Sequence, residues 1–300
     1  MQLGMVGLGR MGDNMAERLR LGGHSVVGYD RNPDVSDVAD LAGLVAALDA
    51  PRTVWVMVPA GDPTESTMAE LRSLLSPGDL MIDGGNADYT DSVRRAGLAA
   101  EAGMGYVDAG VSGGVWGLTE GYALMVGGDA EHVERLMPAL ETLSPPEGGL
   151  AHVGPAGSGH FTKMVHNAIE YGMMHAFGEG YELLAASELG IDVPAAVGSW
   201  QNGSVVRSWL LDLMVRAIDE DPGFESIAGY ANDSGEARWA MREAVRLAVP
   251  LPVTSAALFA RFVSRQDDSP AMKVIAALRN QFGGHATKAA EDDDGSGAEA

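Results

Sequence analysis

Four side chains that can hydrogen-bond or transfer protons recur at helical spacing between residues 157 and 171. Lys163, His166, Asn167 and Glu170 stand at i, i+3, i+4 and i+7, so they share one face of a helix. The surrounding positions are mostly apolar or small, and a stripe of four different polar groups on such a helix is expected to face a polar ligand. A solvated helix face is the alternative, although such faces usually repeat a few charge types. We predict that this helix carries the chemistry of the protein.

The two ends of the stripe suit acid–base work. A lysine buried among apolar neighbours has a lowered pKa and can accept a hydroxyl proton, which makes Lys163 a candidate base. Glu170 lies two helical turns further, about 10 Å along the axis, so a small extended substrate fits between the two groups. His166 and Asn167 lie between them and are expected to orient that substrate.

The elements that would hold a cofactor stand at the start of the chain. A strand pattern from Gln2 leads into residues 7–12, a complete G-x-G-x-x-G, and the next strand pattern, residues 25–29, ends at Asp30. This frame is typical of dinucleotide binding, because the glycines let the backbone approach a pyrophosphate at the helix N-terminus. Asp30 favours NAD, since a carboxylate binds the ribose hydroxyls and repels a 2′-phosphate, whereas Arg31 could hold that phosphate and keeps NADP as the alternative. The predicted cofactor-binding residues are Gly7, Leu8, Gly9, Arg10, Met11, Gly12, Asp30, Arg31, Val58, Pro59, Ala60 and Asn86.

Strand and helix patterns alternate over residues 1–156 and predict an α/β Rossmann-like N-terminal domain with an open, largely parallel sheet. Ligands bind beyond the carboxyl ends of such strands, where residues 58–60, Asn86 and residues 112–114 fall, although plain turns could also explain these glycines. Residues 157–290 predict an all-α C-terminal domain that carries the polar stripe, and residues 291–300 predict an acidic disordered tail. The helical patterns of the second domain cover 158–189, 194–219, 236–248, 252–264 and 269–281.

Charge and composition exclude several classes of protein. The 300 residues contain 42 acidic and 20 basic side chains, a net charge of -22, which argues against nucleic acid or an anionic membrane as partner. There is no cysteine, hence no disulfide or thiolate metal site, and the histidines show no ligand spacing, so we expect no metal. No apolar run is long enough for a membrane span and no basic leader precedes the first strand, so a soluble cytoplasmic protein is expected. The excess of acids over lysines suggests, as a hypothesis, a halophilic source.

Further motifs accompany the glycine turn and the stripe. The full set is residues 7–12, Asp83-Gly84-Gly85-Asn86, Ser112-Gly113-Gly114, Lys163-x-x-His166-Asn167-x-x-Glu170-Tyr171, Arg238-Trp239, Phe259-Ala260-Arg261 and Arg279-x-x-Phe282-Gly283-x-His285. Taken together, these motifs resemble the decarboxylating 6-phosphogluconate dehydrogenases in their short form, within the β-hydroxyacid dehydrogenase superfamily. The resemblance implies oxidative decarboxylation of 6-phosphogluconate to ribulose 5-phosphate, with Lys163 as general base and acid and Glu170 as the acid that protonates the product carbon. It also implies that Arg261 binds the phosphate and that Arg279 and His285 enter the neighbouring subunit's site, so that the protein is a homodimer or a larger homo-oligomer. The other implied substrate contacts are Asn86, Ser112, Gly113, Gly114, His166, Asn167 and Tyr171.

One segment departs from the family pattern. Ser234 and Glu236 stand where the long form has a phosphate-binding lysine and a threonine. Glu236 would disfavour a nearby phosphate unless it turns away or meets Arg238, which would leave Arg261 and Arg279 with a larger share of the phosphate. Two other functions stay open: an NAD(P)-dependent dehydrogenase of an unphosphorylated β-hydroxyacid such as 3-hydroxyisobutyrate, and a non-catalytic NAD-binding sensor.

Overall fold

The structure is a computed structural model, which describes residues 1–288. The N-terminal part contains a seven-stranded sheet with the order β2-β1-β3-β4-β5-β6-β7. Neighbouring strands are parallel except for the antiparallel pair β5–β6. The largely parallel α/β sheet predicted from the sequence is therefore confirmed. The strands are β1 Gln2–Val6, β2 Ser25–Tyr29, β3 Thr53–Val56, β4 Leu80–Asp83, β5 Gly105–Ser112, β6 Ala123–Gly128 and β7 Leu150–Gly154.

Helices cover both faces of this sheet. Successive residues of β3 point to opposite faces, and Trp55 packs in one core with α1 and α6, whereas Val54 and Val56 pack in a second core with α2, α3 and α4. The short helix α2 and the helical turns at residues 114–120 have no counterpart in the sequence prediction. The helices of this part are α1 Arg10–Leu21, α2 Leu41–Ala46, α3 Asp62–Leu74, α4 Tyr89–Glu101, α5 Gly117–Glu120 and α6 Ala130–Leu143, with a 3-10 turn at Gly114–Trp116.

The described residues after 157 form helices and no strand, which confirms the predicted all-α C-terminal part. The prediction of a single helix over 194–219 is wrong. The helical conformation ends at Gln201, and a new helix begins at Trp209. Gly203 has a φ of 73°, which a helix cannot contain, and the Ser208 hydroxyl caps the new helix by accepting from the Leu211 N–H at 3.2 Å. The helices are α7 Ser158–Ala185, α8 Val193–Gly198, α9 Trp209–Glu220, α10 Glu236–Leu247, α11 Pro252–Val263 and α12 Pro270–Gly283, with a 3-10 turn at Ser199–Gln201.

Helix α7 joins the two parts and carries the polar stripe. Its N-terminus is held by Asp108 of β5, whose carboxylate accepts from the backbone N–H groups of Gly157 at 2.6 Å and His160 at 2.8 Å. Gly159 brings the helix against the sheet, because a Cβ there would lie 2.6 Å from the carbonyl oxygens of Asp108 and Met125. Further along, α7 packs on α10, α11 and the α8–α9 pair. The sheet therefore fixes both the position and the direction of the stripe.

Helix α12 packs on little of the described chain. None of its residues is buried, and its apolar side chains include Met272, Ile275, Leu278 and Phe282, which are 47 to 79% exposed. The predicted boundary between residues 156 and 157 falls between β7 and α7. The predicted tail, residues 291–300, lies outside the described residues. Within residues 1–288 no helix is long and apolar enough to cross a membrane.

Candidate active site

A cavity of about 710 Å³ lies between the carboxyl ends of the strands and helices α7, α9 and α10. All four residues of the polar stripe line it. The strand-end segments Asn86 and residues 112–114 form part of the wall, as the sequence analysis expects from the topology of such sheets. The lining also includes residues that the sequence did not single out for the site: Met57, Val115, Trp116, Ile169, Met173, Ser208, Trp209, Leu210 and Leu213.

Lys163 has the environment of a weakened base. Its Cβ lies against β5, since a Cβ on Gly110 would stand 2.5 Å from it. Burial lowers the pKa of the Lys163 ammonium, and the charges of Glu170 and Glu236 oppose this effect without cancelling it. A lysine with a lowered pKa is neutral in a larger fraction of molecules near neutral pH, which is the form that accepts a proton.

The remaining residues of the stripe form a small polar group beside Lys163. His166 Nδ1 lies 2.9 Å from Asn167 Oδ1 and 3.8 Å from Glu170 Oε2. The His166 and Glu170 side chains are 41% and 37% exposed, so both remain open to the cavity. The predicted helix face therefore points at a space large enough for a small ligand.

Glu236 does not meet Arg238, one of the two arrangements considered for it. Its carboxylate is buried and accepts from Asn86 Nδ2 at 2.8 Å, from Asn167 Nδ2 at 2.7 Å and from Ser234 Oγ at 2.8 Å. Arg238 instead pairs with Asp233. Glu236 thus contributes to the cavity wall.

A second cavity, of about 520 Å³, surrounds the glycine turn. A Cβ on Gly12 would stand 1.9 Å from the carbonyl oxygen of Gly7, and Gly7 itself has a φ of 91°, so both positions require glycine. A Cβ on Gly9 would meet nothing within 4 Å, and the backbone there faces open space at the N-terminus of α1. This cradle fits the pyrophosphate of a dinucleotide. Of the predicted cofactor-binding residues, those that line this cavity are Gly7, Gly9, Arg10, Met11, Gly12, Asp30, Arg31, Val58, Pro59 and Asn86.

Asp30 stands at the end of β2, fixed by the backbone. Its Oδ2 accepts from the Leu8 N–H at 2.7 Å and its Oδ1 from the Asn32 N–H at 2.8 Å. Leu8 itself is buried and contributes this N–H rather than a side chain. Ala60 lines neither cavity. Met11, Met57, Gly85 and Asn86 line both cavities, so the cradle opens into the larger space.

Four predicted substrate contacts lie outside both cavities in the single chain. Tyr171 is buried, and its hydroxyl accepts from the Ser234 N–H at 3.1 Å. The Arg261 guanidinium lies 3.5 Å from the centre of the Tyr171 ring and donates to the Asn232 carbonyl at 2.9 Å. Arg279 and His285 are exposed on and just after α12. These four roles stay predictions.

Two parts of the cavity wall, Glu236 and the start of α9, carry no local sequence signal for a ligand site. Glu236 opens α10 after Gly235, whose φ is 105°, and an acidic residue in a first turn is a common helix feature that reveals nothing about a ligand. Its partners Asn86 and Asn167 are 150 and 69 residues away in the chain. Trp209 and Leu213 belong to α9. The sequence predicts one helix over 194–219, so it does not indicate that a helix begins at Trp209. Within residues 1–288 no cluster of three metal-ligating side chains occurs.

Comparison with protein-family models matches both parts of the chain. Residues 2–154 match the NAD-binding domain of 6-phosphogluconate dehydrogenase, and residues 159–295 match the C-terminal domain of 6-phosphogluconate dehydrogenase.

Individual relatives agree with these matches. YqeC of Bacillus subtilis, whose name gives it only as a candidate 6-phosphogluconate dehydrogenase, is 42% identical over 96% of this chain and 99% of its own length. The NAD(+)-dependent decarboxylating 6-phosphogluconate dehydrogenase of Haloferax volcanii is 38% identical over 97% of this chain and its full length. Among solved structures, Plasmodium falciparum 6-phosphogluconate dehydrogenase, studied with NADP+ and with 6-phosphogluconate, superposes with a TM-score of 0.80 at 26% identity, over 98% of this chain and 67% of that one.

Proposed function

The chain belongs to the 6-phosphogluconate dehydrogenase family, and from this membership we propose that it converts 6-phosphogluconate to ribulose 5-phosphate and carbon dioxide, with NAD as the oxidant. The observation that carries the proposal is the placement of Lys163 and Glu170 on one wall of a cavity that opens into the glycine cradle. A purely NAD-binding sensor would not need an acid–base pair there.

Lys163 performs the first proton transfer in this proposal. A bound nicotinamide cofactor supplies the hydride acceptor for the carbinol carbon of the substrate. Neutral Lys163 removes the proton of the same hydroxyl, which its lowered pKa favours. The resulting β-keto acid loses carbon dioxide, and the Lys163 ammonium stabilises and protonates the oxygen on which negative charge develops. Lys163 thus accepts a proton in the first of these steps and returns one in the second.

Glu170 performs the last proton transfer. The enediol left by decarboxylation needs a proton at the carbon that becomes C1 of ribulose 5-phosphate, and the carboxyl group of Glu170 donates it while Lys163, neutral again, removes the proton of the enediol hydroxyl that becomes the ketone. Seven residues, about 10 Å of helix, separate Glu170 from Lys163 along α7, so in our proposal the two side chains reach the reacting oxygen and the adjacent carbon from different directions. His166 and Asn167, between them, orient the substrate hydroxyls. Asn86 and Ser112-Gly113-Gly114 hold it from the strand ends.

The preference for NAD rests on Asp30. Each of its carboxylate oxygens already accepts one backbone N–H, which holds the carboxylate in place and leaves lone pairs for the ribose hydroxyls. A 2′-phosphate would meet this fixed negative charge, although Arg31 lines the same cavity. The name of the Haloferax relative supports NAD, whereas NADP+ is the cofactor of the Plasmodium enzyme.

The phosphate end of the site is completed, in our proposal, by a second copy of the chain. Arg279 and His285 lie on and next to a helix whose apolar side chains contact little of the described chain. Docking of α12 on a neighbouring subunit would cover these side chains and supply both residues to that subunit's substrate. Tyr171 and Arg261 are the proposed phosphate contacts within the chain.

The proposal is tested by a panel of substrates and cofactors with the purified protein in high salt. We expect reduction of NAD with 6-phosphogluconate, a lower kcat/KM with NADP, and little reduction with 3-hydroxyisobutyrate. Oxidation of 3-hydroxyisobutyrate in preference to 6-phosphogluconate would replace the proposal by an unphosphorylated β-hydroxyacid dehydrogenase. Binding of NAD without turnover of either acid would favour the sensor.

A further inference from the structure

The carboxylate of Glu236 occupies an unusual place for an acidic side chain. Only 4% of the residue is exposed, yet it lies in the wall of the substrate cavity and not in an ion pair with a neighbouring arginine. One oxygen, Oε1, accepts from the amide nitrogens of both Asn86 and Asn167. The other, Oε2, accepts from the Ser234 hydroxyl. Glu236 therefore joins the strand-end loop of the first domain to α7 and α10.

These bonds fix which way the Asn167 amide faces. The Asn86 amide is fixed by Glu236 together with the Ser234 carbonyl, to which Asn86 Nδ2 also donates at 3.3 Å. An ionised carboxylate can only accept hydrogen bonds, so the Nδ2 atoms of Asn86 and Asn167 must be turned toward it. Their Oδ1 atoms then point elsewhere as acceptors. Asn167 Oδ1 lies 2.9 Å from His166 Nδ1. Because an amide oxygen cannot donate, His166 must carry its proton on Nδ1, and in the neutral ring Nε2 is left as the acceptor.

We propose that Glu236 is a positioning residue that sets the hydrogen-bond polarity of the substrate cavity. It turns the Asn167 amide, and with the Ser234 carbonyl the Asn86 amide, so that their oxygens accept, and through Asn167 it holds His166 in the tautomer that accepts at Nε2. A ligand with many hydroxyl donors, such as a polyhydroxy acid, matches a cavity wall that presents hydrogen-bond acceptors. The choice of this ligand class rests on the proposed function.

A series of substitutions at one position separates this role from a role of the charge alone. In Glu236→Gln the amide oxygen can still accept from both asparagines, and the new Nε2 can donate to Ser234, whose hydroxyl also accepts. Glu236→Asp keeps the charge but withdraws the carboxylate by one methylene. Glu236→Ala removes both the negative charge and the hydrogen-bond acceptor.

The matched control is Glu243→Ala. Glu243 lies on the same helix and is equally buried at 4%, but it pairs with Arg246 and lines neither cavity. Thermal unfolding midpoints of all variants show how much of any effect is loss of stability.

The kinetic expectation follows from positioning. For Glu236→Ala and Glu236→Asp, kcat with 6-phosphogluconate falls about 10- to 100-fold, because misplaced acceptors leave the reacting hydroxyl out of line, while KM changes less. Glu236→Gln stays within about 3-fold of the unmodified protein, since its acceptor is retained. Glu243→Ala loses stability but not kcat. The inference is overturned if Glu236→Asp is active while Glu236→Gln behaves as Glu236→Ala, or if Glu243→Ala loses as much kcat as Glu236→Ala.

The histidine tautomer gives a second readout that does not depend on turnover. In protein labelled with 15N-histidine, the ring signals of neutral His166, assigned with a His166→Asn variant, should show the proton on Nδ1. This tautomer should persist in Glu236→Gln and give way to a mixture in Glu236→Ala. An unchanged tautomer in Glu236→Ala, or a proton on Nε2 in the unmodified protein, overturns the inference. If the unmodified protein fails to oxidise 6-phosphogluconate, the proposed function is wrong, and the NMR result still decides the role of Glu236.

Discussion

Replacing Gly159 by alanine tests how closely the catalytic helix depends on its contact with the sheet. A Cβ at this position would stand 2.6 Å from the carbonyl oxygens of Asp108 and Met125 and 2.9 Å from Asp108 Oδ2. Two of these three atoms are backbone oxygens of β5 and β6, so a change of side-chain rotamer cannot move them away from the new Cβ. Helix α7 must retreat instead, and Lys163 lies four residues, about one turn, further along it.

The expected size of the effect follows from these distances. Restoring an ordinary contact of at least 3.4 Å from 2.6 Å requires a displacement of about 0.8 Å. Overpacking of this kind typically destabilises a protein by about 1–3 kcal/mol. A misplacement of about 1 Å at a reacting group costs about 100-fold in rate. We therefore expect Gly159→Ala to lower kcat/KM by about 10- to 100-fold and to reduce the free energy of unfolding by about 1–3 kcal/mol.

Gly178→Ala on the same helix is the matched control. A Cβ there meets nothing within 4 Å, and alanine in a helix interior is favoured over glycine by about 0.5–1 kcal/mol. Urea unfolding and steady-state kinetics of both variants measure the two effects. We expect Gly178→Ala to be fully active and slightly more stable. A Gly159→Ala protein with unchanged stability and kcat/KM would refute the claim that this glycine sets the position of Lys163.

The remaining predictions concern the acid–base pair, the cofactor and the surface. Lys163→Met should abolish turnover while NADH binding, followed by fluorescence, stays nearly intact; substantial residual dehydrogenase activity would exclude Lys163 as the base. Because the neutral amine is the active form and its pKa is lowered, kcat/KM should rise with pH through a midpoint below the usual lysine range, and a midpoint within that range would contradict the role of burial. Glu170→Ala should slow formation of ribulose 5-phosphate more than reduction of NAD, seen in a single turnover followed by both products, and an equal slowing of the two would remove Glu170 from the last proton transfer. With a net charge of -22, the unfolding temperature should rise as salt shortens the Debye length from about 10 Å at 0.1 M to about 3 Å at 1 M, whereas a protein equally stable and active without added salt would refute the halophilic hypothesis.

Sequence patterns predicted those parts of the protein whose structure depends on residues close together in the chain. The glycine turn was predictable because the steric demand of the cradle is met by glycine alone, as at Gly12. The stripe on α7 was predictable because residues spaced by three and four share a helix face, wherever the helix packs. Alternation of strands and helices likewise gave the fold class.

Contacts between distant segments were not predictable in this way. The bonds of Glu236 join residues that are far apart in the chain, and no spacing rule connects them. Tyr171 belongs to the predicted motif, yet in the single chain it turns away from the cavity toward Ser234 and Arg261. The break between α8 and α9 was missed because apolar residues continue at helical spacing on both sides of Gly203, although a glycine with positive φ ends the helix.

The central claim, oxidative decarboxylation by the Lys163–Glu170 wall, is tested most directly by the stoichiometry of the reaction. 6-Phosphogluconate labelled with 13C at C1 is incubated with the protein and NAD, and labelled carbon dioxide, NADH and ribulose 5-phosphate are quantified in the same sample. The account predicts equal amounts of the three products. NADH formed without labelled carbon dioxide, or no reaction of 6-phosphogluconate while 3-hydroxyisobutyrate is oxidised, would contradict it.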